Sequence, residues 1–161
     1  MTSKKVILAG SFGVGKTSLF NQFIYTKFDD KYLTIIGVKV NKKIVNIDGR
    51  ELSILLWDIA GEVSQDKVPV TYFSGASGVI YVFDLSRPTT YKNIAEDVEY
   101  LKGILDGGAI RVVGNKRDLV TDEQLENIRE QLDLPFDIAT SAKTGANVEE
   151  LFFDIGKALL D

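Results

Sequence analysis

Residues 10–18 read GSFGVGKTS. Gly10, Gly15, Lys16 and Thr17 satisfy the frame G-x-x-x-x-G-K-[ST], in which N–H groups of a tight loop and of the next helix cradle phosphates. The lysine of such a loop reaches the β and γ oxygens, and the hydroxyl holds Mg²⁺. This chemistry needs a strand before the loop and a helix after it. KKVILAG (4–10) is a β-branched apolar run of the kind buried in a parallel sheet. Leu19, Phe20, Phe23 and Ile24 then recur on one face of a helix that starts near Lys16. The competing reading is a glycine-rich turn with Lys16 as a solvated charge; agreement of both flanks favours the phosphate loop. Phe12 is the awkward residue, a large ring where small residues would let a ligand approach the backbone.

The chain of 161 residues, 45% apolar, reads as a single domain, 1–161, with enough apolar content for a proper core. Cys is absent, which removes disulfides, thiolate chemistry and a prenylation site, and makes a reducing cytoplasm the expected location. His is also absent, so imidazole bases, His-ligated metals and Ser-His-Asp triads are excluded together. A net charge of −4 offers no electrostatic case for nucleic acid or an anionic membrane. Lys4, Lys5 and VILAG imitate a signal peptide only faintly, and no apolar stretch is long enough to span a bilayer. The expectation is a soluble cytoplasmic monomer.

Farther along, a polar irregular stretch (26–37) precedes two strand-like runs, VKVNKKIVNI and ELSILLWDI, joined by Asp48-Gly49, a strong hairpin signal. A loop and weak helix are expected over 61–75, limited by Pro69. GVIYVFDL (78–85) is a buried strand, and Tyr91, Ile94, Val98, Leu101 and Leu105 keep helical spacing until Gly107-Gly108. IRVVGNKRD (110–118) is strand then loop. Thr121 with Gln124 forms a capping box, FDIAT (136–140) is the last strand, and Asn147 with Glu150 is expected to cap the last helix. Strands alternating with helices mean an α/β domain. The predicted architecture is a P-loop NTPase-type three-layer sandwich on a mostly parallel six-stranded sheet, with one antiparallel edge strand supplied by the hairpin.

In such sheets ligands bind at the carboxyl ends of the strands. Four such ends carry chemistry: the 10–17 loop, DIAG (58–61), NKRD (115–118) and TSAK (140–143). Asp58 at a strand end suits Mg²⁺, usually through a water, and the Gly61 N–H suits a γ-phosphate. Asp118 suits guanine, which offers N1–H and N2–H₂ side by side where adenine offers neither. Asn115 can tie neighbouring loops together, and the Lys116 stem can lie along the base. Ala142 can offer a backbone N–H to guanine O6 beside Lys143, with Ser141 bracing the loop. Each of the three later loops, taken alone, is equally an ordinary polar turn.

Together, in this order and after these strands, the four loops resemble the Ras superfamily of small GTPases. KYLTIIGV, LLWDIAG, YFSGASGVIYVFD and VGNKRDL place the Rab branch nearest. The resemblance covers residues 4–160, with shortening near 105–110 and 119–133. It implies a switch that binds GTP and GDP with Mg²⁺ and hydrolyses GTP. The implied phosphate and nucleoside contacts are Gly13, Val14, Gly15, Lys16, Thr17, Ser18, Phe28 (against guanine), Asn115, Lys116, Asp118, Ser141, Ala142 and Lys143. The implied metal positions are Thr17, Asp58 and Thr34, and the implied catalytic positions are Lys16, Gly61 and Glu62. Effectors and regulators would read residues 30–40 and 62–73.

Three departures from the family cluster at the γ-phosphate. Phe12 stands where relatives have Gly or another small residue, and Glu62 where they place a water-positioning Gln. The metal-grasping Thr of the first switch aligns with Ile35, one place after Thr34. Together they suggest slow hydrolysis, with Phe12 pointing away from the cradle yet crowding a catalytic Gln or an incoming arginine. No Cys follows in a tail, so a Rab-type lipid anchor is not expected. Besides a slow GTP hydrolase, two readings stay open: a nucleotide-binding module with negligible hydrolysis controlled by a partner, and a P-loop kinase or ATPase. NKRD and SAK speak against the last of these.

Overall fold

The computed structural model describes residues 2–26, 38–59, 69–132 and 134–160. The phosphate-loop strand β1 (Thr2–Gly10) is central in a six-stranded sheet of order β2-β3-β1-β4-β5-β6. The other strands are β2 (Val38–Ile47), β3 (Arg50–Ile59), β4 (Ala76–Asp84), β5 (Ala109–Asn115) and β6 (Ile138–Ala139). All neighbours run parallel except β2 and β3, which pair antiparallel with Val40 opposite Trp57. The expected fold class is therefore present, antiparallel edge strand included. The turn between β2 and β3 has φ of 51° at Asp48 and 88° at Gly49. Two consecutive positive φ values make the tight hairpin turn that Asp-Gly favours, and Asn46 Oδ1 accepts the Gly49 N–H at 2.8 Å.

Period-two alternation along β1 splits the core between the two faces of the sheet. Val6 and Leu8 face Phe20 and Phe23 of α1 (Lys16–Tyr25) and Leu151, Phe152 and Ile155 of α4 (Val148–Leu160). Ile7 and Ala9 face Val98 and Leu101 of α2 (Ile94–Leu105) and Ile128 of α3 (Asp122–Gln131). Phe23 and Phe152 stack with ring centroids 3.6 Å apart, joining the first and last helices. These are the three expected layers.

Several boundaries differ from the sequence reading. The last strand keeps only Ile138 and Ala139 of the expected FDIAT. At its start, Asp137 turns its carboxylate back to accept the Val112 N–H at 2.7 Å. Tyr91 precedes α2, because Pro88–Thr90 forms a separate 3₁₀ turn ahead of it. Within 61–75 the described part is a 3₁₀ turn, Val70–Phe73. The Thr121–Gln124 capping box is present in both directions, at 2.9 and 3.1 Å. Asn147 does not cap α4 in the expected way: at φ 61° it sends its amide to the Ala139 carbonyl at 2.9 Å, tying the helix start to β6.

Candidate nucleotide site

The loop after β1 is held by its carbonyls. Gly10 O accepts from Lys16 Nζ at 2.8 Å, Gly13 O from Lys116 Nζ at 2.9 Å and from Arg87 Nη1 at 3.2 Å, and Val14 O from Asn115 Nδ2 at 3.0 Å. Phe12 O lies 3.4 Å from Arg87 Nη2. A trans peptide is planar, with its N–H opposite its C=O. Tying back the carbonyls of Phe12, Gly13 and Val14 therefore turns the N–H groups of Gly13, Val14 and Gly15 to the other side of the loop. Successive N–H groups aimed one way form an anion-binding nest. At Gly15, φ is 102°, and a Cβ would lie 2.2 Å from Asn115 Nδ2, so only glycine lets the loop and the β5 end meet.

Lys16 is buried and also donates to Ile59 O at 3.1 Å, bridging the loop to the end of β3. Beside it, Thr17 Oγ1 donates to Asp58 Oδ2 at 2.6 Å. Asp58 is fully buried, and its Oδ1 has no hydrogen-bond partner among the described residues. Burial pushes its carboxyl pKa up, against the opposing pull of the Thr17 hydroxyl and of Lys16 and Lys39. An orphaned, buried carboxylate oxygen next to a threonine hydroxyl is a hard-oxygen set that fits Mg²⁺. Among the described residues no cluster of three acidic, His or Cys side chains exists, so this is no all-protein metal cage. Mg²⁺ suits such a sparse site, since it usually takes one or two protein ligands and completes its shell with waters and phosphate oxygens.

The raised pKa has a sign. Without metal, the charged form of Asp58 costs folding stability; the cost is absent below the unfolded value near 3.8 and complete above the raised folded value. Asp58→Asn is therefore expected to raise the neutral-pH thermal midpoint of the nucleotide-free protein while weakening Mg²⁺-dependent nucleotide affinity by ~10-fold or more. Thermal melts and nucleotide titrations with and without Mg²⁺ check both arms.

The third and fourth loops form one network. Asn115 is buried; its Oδ1 accepts from Thr140 Oγ1 at 3.0 Å and from the Ala142 N–H at 3.2 Å. The N–H assigned to guanine O6 is thus directed at Asn115 here, and a base would have to share it. Ser141 Oγ donates to Asp118 Oδ1 at 2.7 Å and accepts the Thr144 N–H at 3.1 Å, which orients the carboxylate. Asp118 is itself exposed, so a base, not the protein fold, would bury it. Lys116 has φ 66°, and its ammonium reaches across to Gly13 O. Ser18 lies in the first turn of α1, and Lys143 is exposed at the rim. Phe12 is 37% exposed. Phe28, Thr34, Ile35, Gly61 and Glu62 lie outside the described residues.

Sequence reading passed over one strand end. Asp84, the last residue of β4, is fully buried; its Oδ1 accepts from the N–H and hydroxyl of Ser86, and its Oδ2 lies 3.0 Å from Lys116 Nζ. The rule that singled out the other strand ends was signal enough, since the apolar run GVIYVF is followed at once by the acid Asp84.

Comparison with known proteins decides the family. The model of the Ras family matches residues 5–161. The chain belongs to the Ras family. It is 35% identical to the Ras-related protein SEC4 of Saccharomyces cerevisiae over 160 residues, 96% of this chain and 74% of that protein. It is 32% identical to Rab-4A of Bos taurus, covering 98% of this chain and 74% of that protein, and 31% identical to Rab-13 of Bos taurus, covering 97% and 79%. As a Rab-like member of the Ras family it is a GTP/GDP-binding switch of a family of GTP hydrolases. No helix among the described residues is long and apolar enough to cross a membrane.

Proposed function

We propose that this Ras-family chain is one G domain, 1–161, that binds guanine nucleotide across the four loops and hydrolyses GTP slowly. The observation that carries the reading is the set of backbone carbonyls tied back by Lys16, Arg87, Lys116 and Asn115, which leaves a nest of N–H groups beside Asp58 and Thr17. Gly13 to Ser18 would hold the phosphates, and Lys16 would leave Gly10 O and Ile59 O for the β and γ oxygens. Asp118 would take the guanine N1–H and N2–H₂, with Ala142 at O6, Lys143 beside it, and Phe28 against the ring. Thr17 would hold Mg²⁺ directly and Asp58 through a water, and the ion, when bound, neutralises charge between the β and γ phosphates. Gly61 and Glu62 would face the γ-phosphate. Effectors and regulators would contact residues 30–40 and 62–73, and the cytoplasm is the proposed location. The decisive experiment is to identify the nucleotide that co-purifies and whether it is a di- or triphosphate. A guanine nucleotide supports the reading, and an adenine nucleotide overturns it in favour of a P-loop kinase or ATPase.

The first switch carries its own test. Ile35 offers no side-chain oxygen, so closure of residues 30–37 on the triphosphate would be weak unless Thr34 takes that place. Thr34→Ala is expected to lower the preference for GTP over GDP by ~10-fold, about one charge-assisted bond. An unchanged ratio of the two affinities removes Thr34 from the metal shell.

A further inference from the structure

We infer that Arg87 is a positioning residue for the β-phosphate cradle, acting through the carbonyls of Phe12 and Gly13; this rests on the nucleotide reading above. Its backbone is fixed by the turn that ends β4. The Arg87 N–H donates to Asp84 O at 3.0 Å, Arg87 O accepts the Thr90 N–H at 3.0 Å and the Thr90 hydroxyl at 2.8 Å, and Pro88 follows. A residue before proline is kept out of the helical region, and Arg87 is extended at φ −130° and ψ 99°. From that fixed point the guanidinium spans to the phosphate loop, 3.2 Å from Gly13 O and 3.4 Å from Phe12 O. Asp84 steadies it from behind, with Oδ2 at 3.8 Å from Arg87 and 3.0 Å from Lys116.

Two cations thus meet at one carbonyl. Lys116 holds Gly13 O from the base-binding loop and Arg87 holds it from the β4 turn, while Arg87 also reaches Phe12 O. By peptide planarity, the N–H groups answering to these two carbonyls are those of Gly13 and Val14. Polarising a carbonyl also strengthens the N–H of the same peptide as a donor. The arrangement depends on glycine: at Gly13 φ is 77°, and a Cβ would stand 2.9 Å from Arg87 Nη1. A guanidinium suits this task because its planar fork presents two parallel donors to two successive carbonyls, where an ammonium is a single point charge.

The site's polarity makes the role separable from general support. On the nucleotide reading above, Asp118, Ser141 and Ala142 would take the base, and the phosphates would lie along Gly13–Ser18. The Gly13 and Val14 N–H groups would then meet the phosphate beyond the one that GMP carries. Arg87→Ala is therefore expected to weaken GDP and GTP by ~10-fold and speed GDP release equally, while GMP affinity changes less than twofold. Arg87→Lys is expected to recover part of the loss and Arg87→Gln less. Fluorescent-nucleotide competition with GMP, GDP and GTP, beside a thermal melt of each variant, reads these effects; if Arg87→Ala fails to fold, Arg87→Gln carries the same comparison. Unchanged GDP affinity overturns the assignment. So does an equal loss for GMP and GDP, which would mark Arg87 as support for the whole fold. Failure of the wild type to bind any of the three would instead refute the nucleotide reading itself.

Discussion

Asp118→Asn is expected to lower GTP and GDP affinity by ~10³-fold or more, because a site built to hydrogen-bond one edge rejects a ligand that leaves its polar groups unpaired. The structure refines the physical argument. Asp118 is exposed in the protein alone, with one oxygen held by the Ser141 hydroxyl at 2.7 Å. Its desolvation therefore falls at the moment of binding, and only a base that returns two hydrogen bonds makes it favourable. Guanine does so with N1–H and N2–H₂; adenine has neither donor in that place. An asparagine can still accept from Ser141 through its carbonyl, so its NH₂ then faces the base, donor against donor. Xanthine replaces the 2-amino group with a carbonyl and can accept that bond. The variant is accordingly expected to prefer xanthosine nucleotides, and competition titrations on wild type and variant measure the exchange. ATP competing with GTP within tenfold on the wild type would refute guanine selectivity.

The sheet and its ligand edge were legible because their signals are local. The 10–17 loop declares itself by four fixed residues between a strand and a helix, and Asp48-Gly49 by the rarity of two consecutive positive φ values. The role of Asn115 followed from its amide, which both donates and accepts. Asn147 misled because one side chain that favours helix starts also tolerates a left-handed backbone, and the nearby Ala139 carbonyl won it. Asp84 and Arg87 were harder to see. What they do depends on Gly13, 74 residues from Arg87 in the chain, and no spacing rule links the two. Nor was the exposure of Asp118 legible, since no residue pattern in the 115–118 loop fixes it. The residues of each loop and their donors and acceptors could be read from the sequence; the bonds between loops needed the fold.

Glu62→Gln is expected to accelerate GTP hydrolysis by ~10²-fold, and the reason lies in charge and in hydrogen-bonding capacity. A glutamine at that place accepts from the attacking water and donates to the charge growing on the γ oxygens. A carboxylate does only the first, and it brings a negative charge toward a phosphate that already carries several. At an effective dielectric near 20, like charges ~5 Å apart repel by roughly 3 kcal/mol, which sets the ~10²-fold scale for an acid that stays ionised and close. Phe12 adds a steric component. Its side chain is 37% exposed while Arg87 donates to its carbonyl, so the ring sits on a tethered backbone. A ring at this position would crowd the approach of a glutamine or of a partner's arginine. Phe12→Gly with Glu62→Gln is thus expected to exceed either change alone, with GTP affinity altered little. A general-base role for Glu62 predicts the opposite sign, but the transition state is loose and gains little from early proton removal. The wild-type rate is expected at or below about 10⁻⁴ s⁻¹, the scale of unassisted Ras hydrolysis, in a single-turnover assay with Mg²⁺. Turnover at ~10⁻² s⁻¹ or faster, the scale of a G protein with its own arginine in place, or slowing by Glu62→Gln, would make Glu62 a catalyst and defeat the repulsion argument.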